Sequence, residues 1–187
     1  MMNKERQLQY DIVYMKMAYA MSELSYAIRN KVGCIIVSKN GQVISQGFNG
    51  TPTGYDNCCE DVECSCKWIH GCTYTGKPIE ESKDAKFCST VCKDLEHPEL
   101  GHPCHYLKLI TKKEVLHAES NAISKCAKWI SSTDEATLYV TLSPCFECSK
   151  TIIQSGIKRV CYAEEYRDTS GLEFLRKNGI EVKQIKI

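Results

Sequence analysis

Four side chains stand out for the chemistry they could do together. His117 and Glu119 sit two apart, and Cys145 and Cys148 sit three apart, just after Pro144. One imidazole and two thiols make three ligands for a tetrahedral zinc. The fourth position stays open, and that separates a catalytic zinc from a structural one. A water in such a position becomes a good nucleophile near neutral pH. Glu119 is then a spare acid, free to carry protons rather than bind metal.

The elements around these residues must bring them together. Two cysteines three apart point to one side of a first helical turn. Pro144 suits the start of that helix because it has no amide proton to leave unpaired. The positive end of the helix favours thiolate over thiol. The pattern predicts this helix over Cys145–Gln154, ended by Gly156, and another over Ala118–Ile130, opened by His117. In the second helix Ala122, Ile123, Cys126, Ala127 and Ile130 share one face. A Cys-x-x-Cys alone could be a redox pair or a structural metal site, and a lone His-x-Glu means almost nothing. Together, in this order, at two helix starts separated by a strand, they are a specific signal.

The rest of the chain supplies a scaffold. Leu8, Ile12, Met15 and Tyr19 recur at helical spacing, so Lys4–Glu23 reads as an amphipathic helix packed on a sheet. Val32–Val37 and Gln42–Phe48 read as an antiparallel pair joined at Lys39-Asn40-Gly41. Asn49-Gly50-Thr51-Pro52 then forms a loop, where a ligand-binding segment can sit. Strands are expected at Thr137–Leu142, Arg159–Ala163 and Glu181–Ile187. A helix is expected at Leu172–Asn178, stopped by Gly179. Strands alternating with helices predict parallel pairing in this half.

Composition sets bounds. With 187 residues, 43% hydrophobic and 25% charged, the chain reads as one globular domain, 1–187. A net charge of +1 gives no basic surface for nucleic acid. No run is long enough for a membrane helix, and Met1–Gln7 has no apolar signal core, so a cytoplasmic protein is expected. Between Asn57 and Thr111 the periodicity dissolves into a Cys/His-rich insert, 57–111. The 13 cysteines of a chain without a signal peptide point to metal before disulfides.

His-x-Glu followed by Pro-Cys-x-x-Cys is the signature of zinc nucleobase deaminases. The chain resembles the cytidine deaminase superfamily and, within it, the deoxycytidylate (dCMP) deaminases, phage members included. Lys31–Cys34, Gly47–Gly54, His117–Ile123, Tyr139–Cys148 and Gln154–Arg159 carry the resemblance. It implies an α/β protein of three layers, α/β/α, around a mixed five-stranded sheet. It also implies hydrolysis of dCMP to dUMP and ammonia, feeding thymidylate synthesis. Glu119 would take a proton from the attacking water, return it to N3 of the ring, and help ammonia leave C4. Related enzymes are often hexamers regulated by dCTP and dTTP, with Mg2+ accompanying the triphosphates. By motif match, Asn49, Ala118, Ser143, Tyr166 and Arg167 lie on the substrate side. Asn49-Gly50 is read equally well as a plain turn, and Arg29, Tyr166 and Arg167 as solvated surface.

The resemblance also implies a structural zinc in the insert. Cys58 or Cys59, with His102, Cys104 or His105, matches its placement. Cys64, Cys66, His70, Cys72, Cys88 and Cys92 could form a further site. A mixture of buried thiols and surface histidines is the alternative. Two competing functions stay open: a deaminase of another substrate (dCTP, cytidine or a nucleic-acid base), and an inactive, zinc-stabilised nucleotide-binding module.

Overall fold

The computed structural model describes residues 3–64 and 107–187. The chain divides into two compact units, residues 1–57 with 114–187, and residues 58–113.

In the first unit, α1 (Lys4–Ser22) leads to β1 (Gly33–Val37) and β2 (Val43–Phe48). The hairpin between the two strands turns at Gly41, whose φ of 81° suits glycine. In the second unit, β3 (Glu60–Cys64) pairs antiparallel with β4 (Leu107–Thr111). The sequence pattern shows neither strand, because their pairing joins segments far apart in the chain. Back in the first unit come α2 (Ala118–Lys128), β5 (Thr137–Leu142), α3 (Phe146–Gln154), β6 (Arg159–Glu164), α4 (Ser170–Lys177) and β7 (Glu181–Gln184).

The five strands of this unit form one mixed sheet, ordered β2-β1-β5-β6-β7. β1 runs antiparallel to β2 and β5, while β6 runs parallel to β5 and β7. Strand side chains alternate between two apolar layers. Cys34, Ile36, Leu138, Val140, Val160 and Tyr162 pack with Ala118 and Ala122 of α2, Ile152 of α3, and Leu172 and Leu175 of α4. Ile35, Val37, Tyr139, Cys161 and Ala163 pack with Met15 and Ala18 of α1 on the other face. The expected α/β/α layering and mixed five-stranded sheet are therefore present.

Two expectations need correction. Leu8 was placed on the core face of α1, yet it is 43% exposed while Asp11 is fully buried. Asp11 turns inward because the opposite strands offer it hydrogen-bond donors. The guanidinium of Arg159 binds it at 2.7 and 2.8 Å, and Tyr139 and Gln7 each donate at 2.9 Å. The second correction concerns α2, which stops at Lys128. Ile130 takes a left-handed φ of 57° and is 96% exposed, and Ala127 also faces out.

Strand direction decides where ligands can gather. The ends of β2, β5 and β6 and the start of β1 lie at one edge of the sheet, since Gly33 pairs with Phe48 and Leu142 pairs with Glu164. Asn49, Ser143 and Tyr166 each follow shortly after one of those strand ends. Binding outside the carboxyl ends of parallel strands is a general property of such sheets.

Candidate functional site

His117 is the N-cap residue of α2, and Cys145 is the N-cap residue of α3. The helix expected to begin at Cys145 thus begins one residue later, and Cys148 lies in its first turn. His117 Nδ1 lies 3.4 Å from Cys145 Sγ and 3.3 Å from Cys148 Sγ. Bond lengths of about 2.0 Å to nitrogen and about 2.3 Å to sulfur, at tetrahedral angles, separate such atoms by roughly 3.5 Å. The three donors fit a zinc ion, and among the described residues they are the cluster that could hold a metal. Glu119 is not part of it.

The electrostatics separate the roles of these groups. Burial pushes the Glu119 carboxyl up to about 7, against hydrogen bonding and the nearby His117 charge. Glu119 is only 4% exposed. A carboxyl poised near neutrality can both accept and return a proton. The Cys145 thiol is pulled down to about 4, chiefly by a hydrogen bond from Cys148 and also by His117. Cys148 is held up by the same bond, so this thiol keeps the proton the pair shares. His117 is raised by its bond to Cys145.

Local packing fixes these side chains. Gly171 sits so close to the Pro144–Cys145 turn that an added Cβ would overlap the Pro144 carbonyl oxygen. Ser149 Oγ donates toward the carbonyl oxygens of Cys145 and Gly171, at 3.0 and 3.1 Å. The rings of Phe146 and Phe174 meet at 4.8 Å. Gly47 plays the matching part beside α2, where a Cβ would come within 2.7 Å of the Ala122 amide. None of these supports stood out in the sequence. A glycine in the first turn of a short helix, as at Gly171, was the available signal, because glycine there must be explained by close approach.

The expected substrate-side residues fall into two groups. Asn49 is committed to the framework. Its Oδ1 accepts from Val32 N–H and Ser25 O–H, both at 2.8 Å, and its Nδ2 donates to the Asn30 carbonyl at 2.8 Å. Ser143 is buried, and its Oγ accepts the Tyr166 amide at 2.8 Å. That bond holds the loop in which Arg167 lies over the Tyr166 ring, at 5.8 Å. Ala118 is buried next to His117. Cys58 is exposed and Cys59 buried. His102, Cys104 and His105 lie outside the described residues, as do Cys66, His70, Cys72, Cys88 and Cys92.

Residues 8–164 match the family described as the cytidine and deoxycytidylate deaminase zinc-binding region. The chain belongs to this deaminase family. Deoxycytidylate deaminase of Enterobacteria phage T4 is 38% identical over 90% of this chain and 86% of its own length. That of Mycobacterium phage D29 is 31% identical over 83% of this chain and 95% of its own. The crystal structure of dCMP deaminase from cyanophage S-TIM5 in complex with dCMP and dUMP is 34% identical. It matches with a TM-score of 0.66 over 98% of this chain and 99% of that one. A deaminase family with a zinc-binding region accounts for the His-Cys-Cys cluster and for the mixed sheet that carries it.

Proposed function

We propose that the chain deaminates dCMP to dUMP and ammonia, with His117, Cys145 and Cys148 holding a catalytic zinc and Glu119 moving the protons. The observation that carries this reading is Glu119 itself, a carboxyl buried beside the donor cluster yet outside it. A structural zinc has no use for such a group. The family match and the phage relatives named deoxycytidylate deaminase support the substrate, as does the S-TIM5 complex with dCMP and dUMP.

Zinc, when bound, activates a water as nucleophile. Glu119 accepts the proton of the attacking water and passes it to N3 of the cytosine ring. The oxygen adds at C4, and the C4–N4 bond then breaks. A second transfer through Glu119 completes the ammonia that leaves, and C4 becomes the carbonyl of uracil. The Ser143–Tyr166 loop, with Arg167, and the Asn49 turn border the sheet edge where the nucleotide would lie.

Further parts of the proposal rest on the resemblance stated above. They are a structural zinc drawing on Cys58, Cys59, His102, Cys104 and His105, control by dCTP and dTTP with Mg2+, a hexameric assembly, and a role in the host cytoplasm of a phage. The described helices include none long and apolar enough to cross a membrane.

Turnover tests the central claim. Purified protein is incubated in parallel with dCMP, cytidine, dCTP and cytosine-containing single strands. The expected result is that dCMP is converted fastest. Faster conversion of any other substrate overturns the assignment.

A further inference from the structure

We propose that Ser120 is a positioning residue of the metal site, its hydroxyl donating a hydrogen bond to the Cys148 sulfur. The inference rests on the reading that His117, Cys145 and Cys148 hold the metal. Ser120 Oγ lies 3.7 Å from Cys148 Sγ, within hydrogen-bond range for sulfur. With Cys148 as a thiol, either atom could donate. A thiolate serving as ligand has no proton, so with metal bound the hydroxyl must be the donor.

The placement is specific. Ser120 stands in the first turn of α2, three residues after His117, and reaches across to a ligand on α3. One turn of α2 thus supplies the nitrogen ligand and the donor to a sulfur ligand. The two sulfurs are treated differently. Cys145 Sγ accepts the backbone amide of Cys148, whereas Cys148 Sγ takes the side chain of Ser120. A donor draws electron density off a thiolate, so the sulfur gives less to the metal and the metal polarises its fourth ligand more strongly. It also orients the sulfur, because Ser120 is fixed by its helix.

Cobalt(II) in place of zinc reports on the sulfur directly through the thiolate-to-metal charge-transfer band. Removing the donor in Ser120→Ala should move this band to longer wavelength, because the sulfur becomes more electron-rich, while the lost orientation of the sulfur should weaken metal retention against a competing chelator by roughly 10- to 100-fold. Ser120→Thr, which keeps the hydroxyl, should restore the wild-type band. A Ser120→Ala protein whose band and metal affinity both coincide with wild type overturns the proposal. Should that variant fail to fold by circular dichroism, Ser120→Val, which has the shape of threonine without the hydroxyl, is read in the same way. A wild-type cobalt protein without any thiolate band would instead overturn the ligand assignment, so the two failures are distinguishable.

Discussion

Gly50 and Leu116 bridge their backbones in both directions: Gly50 N–H donates to the Leu116 carbonyl at 3.1 Å, and Leu116 N–H donates back at 2.9 Å. The turn that contains Asn49 is thereby tied to the residue before His117. Asn121 adds a second tie from α2, donating to the Phe48 carbonyl at 2.8 Å. Asn49 then passes this constraint to the segment from Ser25 to Val32 through its three side-chain hydrogen bonds. Asn49→Ala leaves the Val32 amide and the Asn30 carbonyl without these partners. Such a loss costs about 1–3 kcal/mol. Urea unfolding should show that decrease, and the KM for dCMP should rise with it. A stability unchanged within 0.5 kcal/mol, roughly the scatter of neutral surface changes, contradicts the framework role.

Glu119→Gln keeps the shape and burial of the side chain but cannot take a proton. General acid–base catalysis contributes roughly 10²–10⁴-fold. The rate with dCMP should fall by at least that factor, while zinc per chain and the unfolding midpoint stay at wild-type values. A loss of only a few-fold removes Glu119 from the proton-transfer role.

Cys145→Ala tests the ligand set from the other side. Two donors remain, too few to hold zinc firmly against a chelator. Zinc content and rate should be lost together, and zinc content equal to wild type would contradict the assignment. This pairing with Glu119→Gln separates metal binding from proton transfer.

These residues were legible because their spacing is local. A Cys-x-x-Cys at a helix start and a His-x-Glu at another need only helix geometry to be read. Residues whose partners lie far along the chain were not legible. Asp11 looks like a polar interruption in a helix until Arg159 and Tyr139 are placed opposite it. Ile130 continues the apolar period of α2, yet the chain has already turned: Ser131 N–H closes back onto the Cys126 carbonyl at 3.0 Å. That capping bond carries Ile130 out of the helix whatever its polarity. Ser120 shows nothing in sequence because its partner, Cys148, lies on a different helix.

Asp11 should dominate the acid stability of the sheet's α1 face. Burial raises its pKa, but hydrogen bonds from Arg159, Gln7 and Tyr139 outweigh this and hold it well below the usual carboxylate range. Lys183 Nζ adds a contact at 3.2 Å, and Glu181 shares Arg159 at 2.9 Å. A carboxylate depressed in the folded state stabilises above its unfolded pKa of about 3.9, and that stabilisation is lost as pH falls toward the folded value. Asp11→Asn should therefore flatten stability against pH below about pH 4. At neutral pH it should cost about 3 kcal/mol, because the mostly buried Arg159 loses its main partner. Urea titrations from pH 7 to pH 3 read both effects, and parallel curves for the two proteins would dismiss Asp11 as their source.

Gly171→Ala probes how closely α4 must approach the ligand turn. The new methyl would overlap the Pro144 carbonyl oxygen and come within 2.9 Å of the Cys145 carbonyl carbon and of Ser149 Oγ. Two of these neighbours are backbone of the turn that aims Cys145, so relief requires the turn itself to move. Overpacking of this kind costs about 1–3 kcal/mol. A displacement of about 1 Å in a reacting group can cost up to about 10²-fold in rate. Gly179→Ala is the control: its φ is 76°, and its Cβ would meet open space. That substitution should lower stability by about 1 kcal/mol through its left-handed backbone and leave kcat unchanged. If Gly171→Ala reduced stability and kcat no more than Gly179→Ala, the close contact with the Cys145 turn would have no part in aiming the ligand.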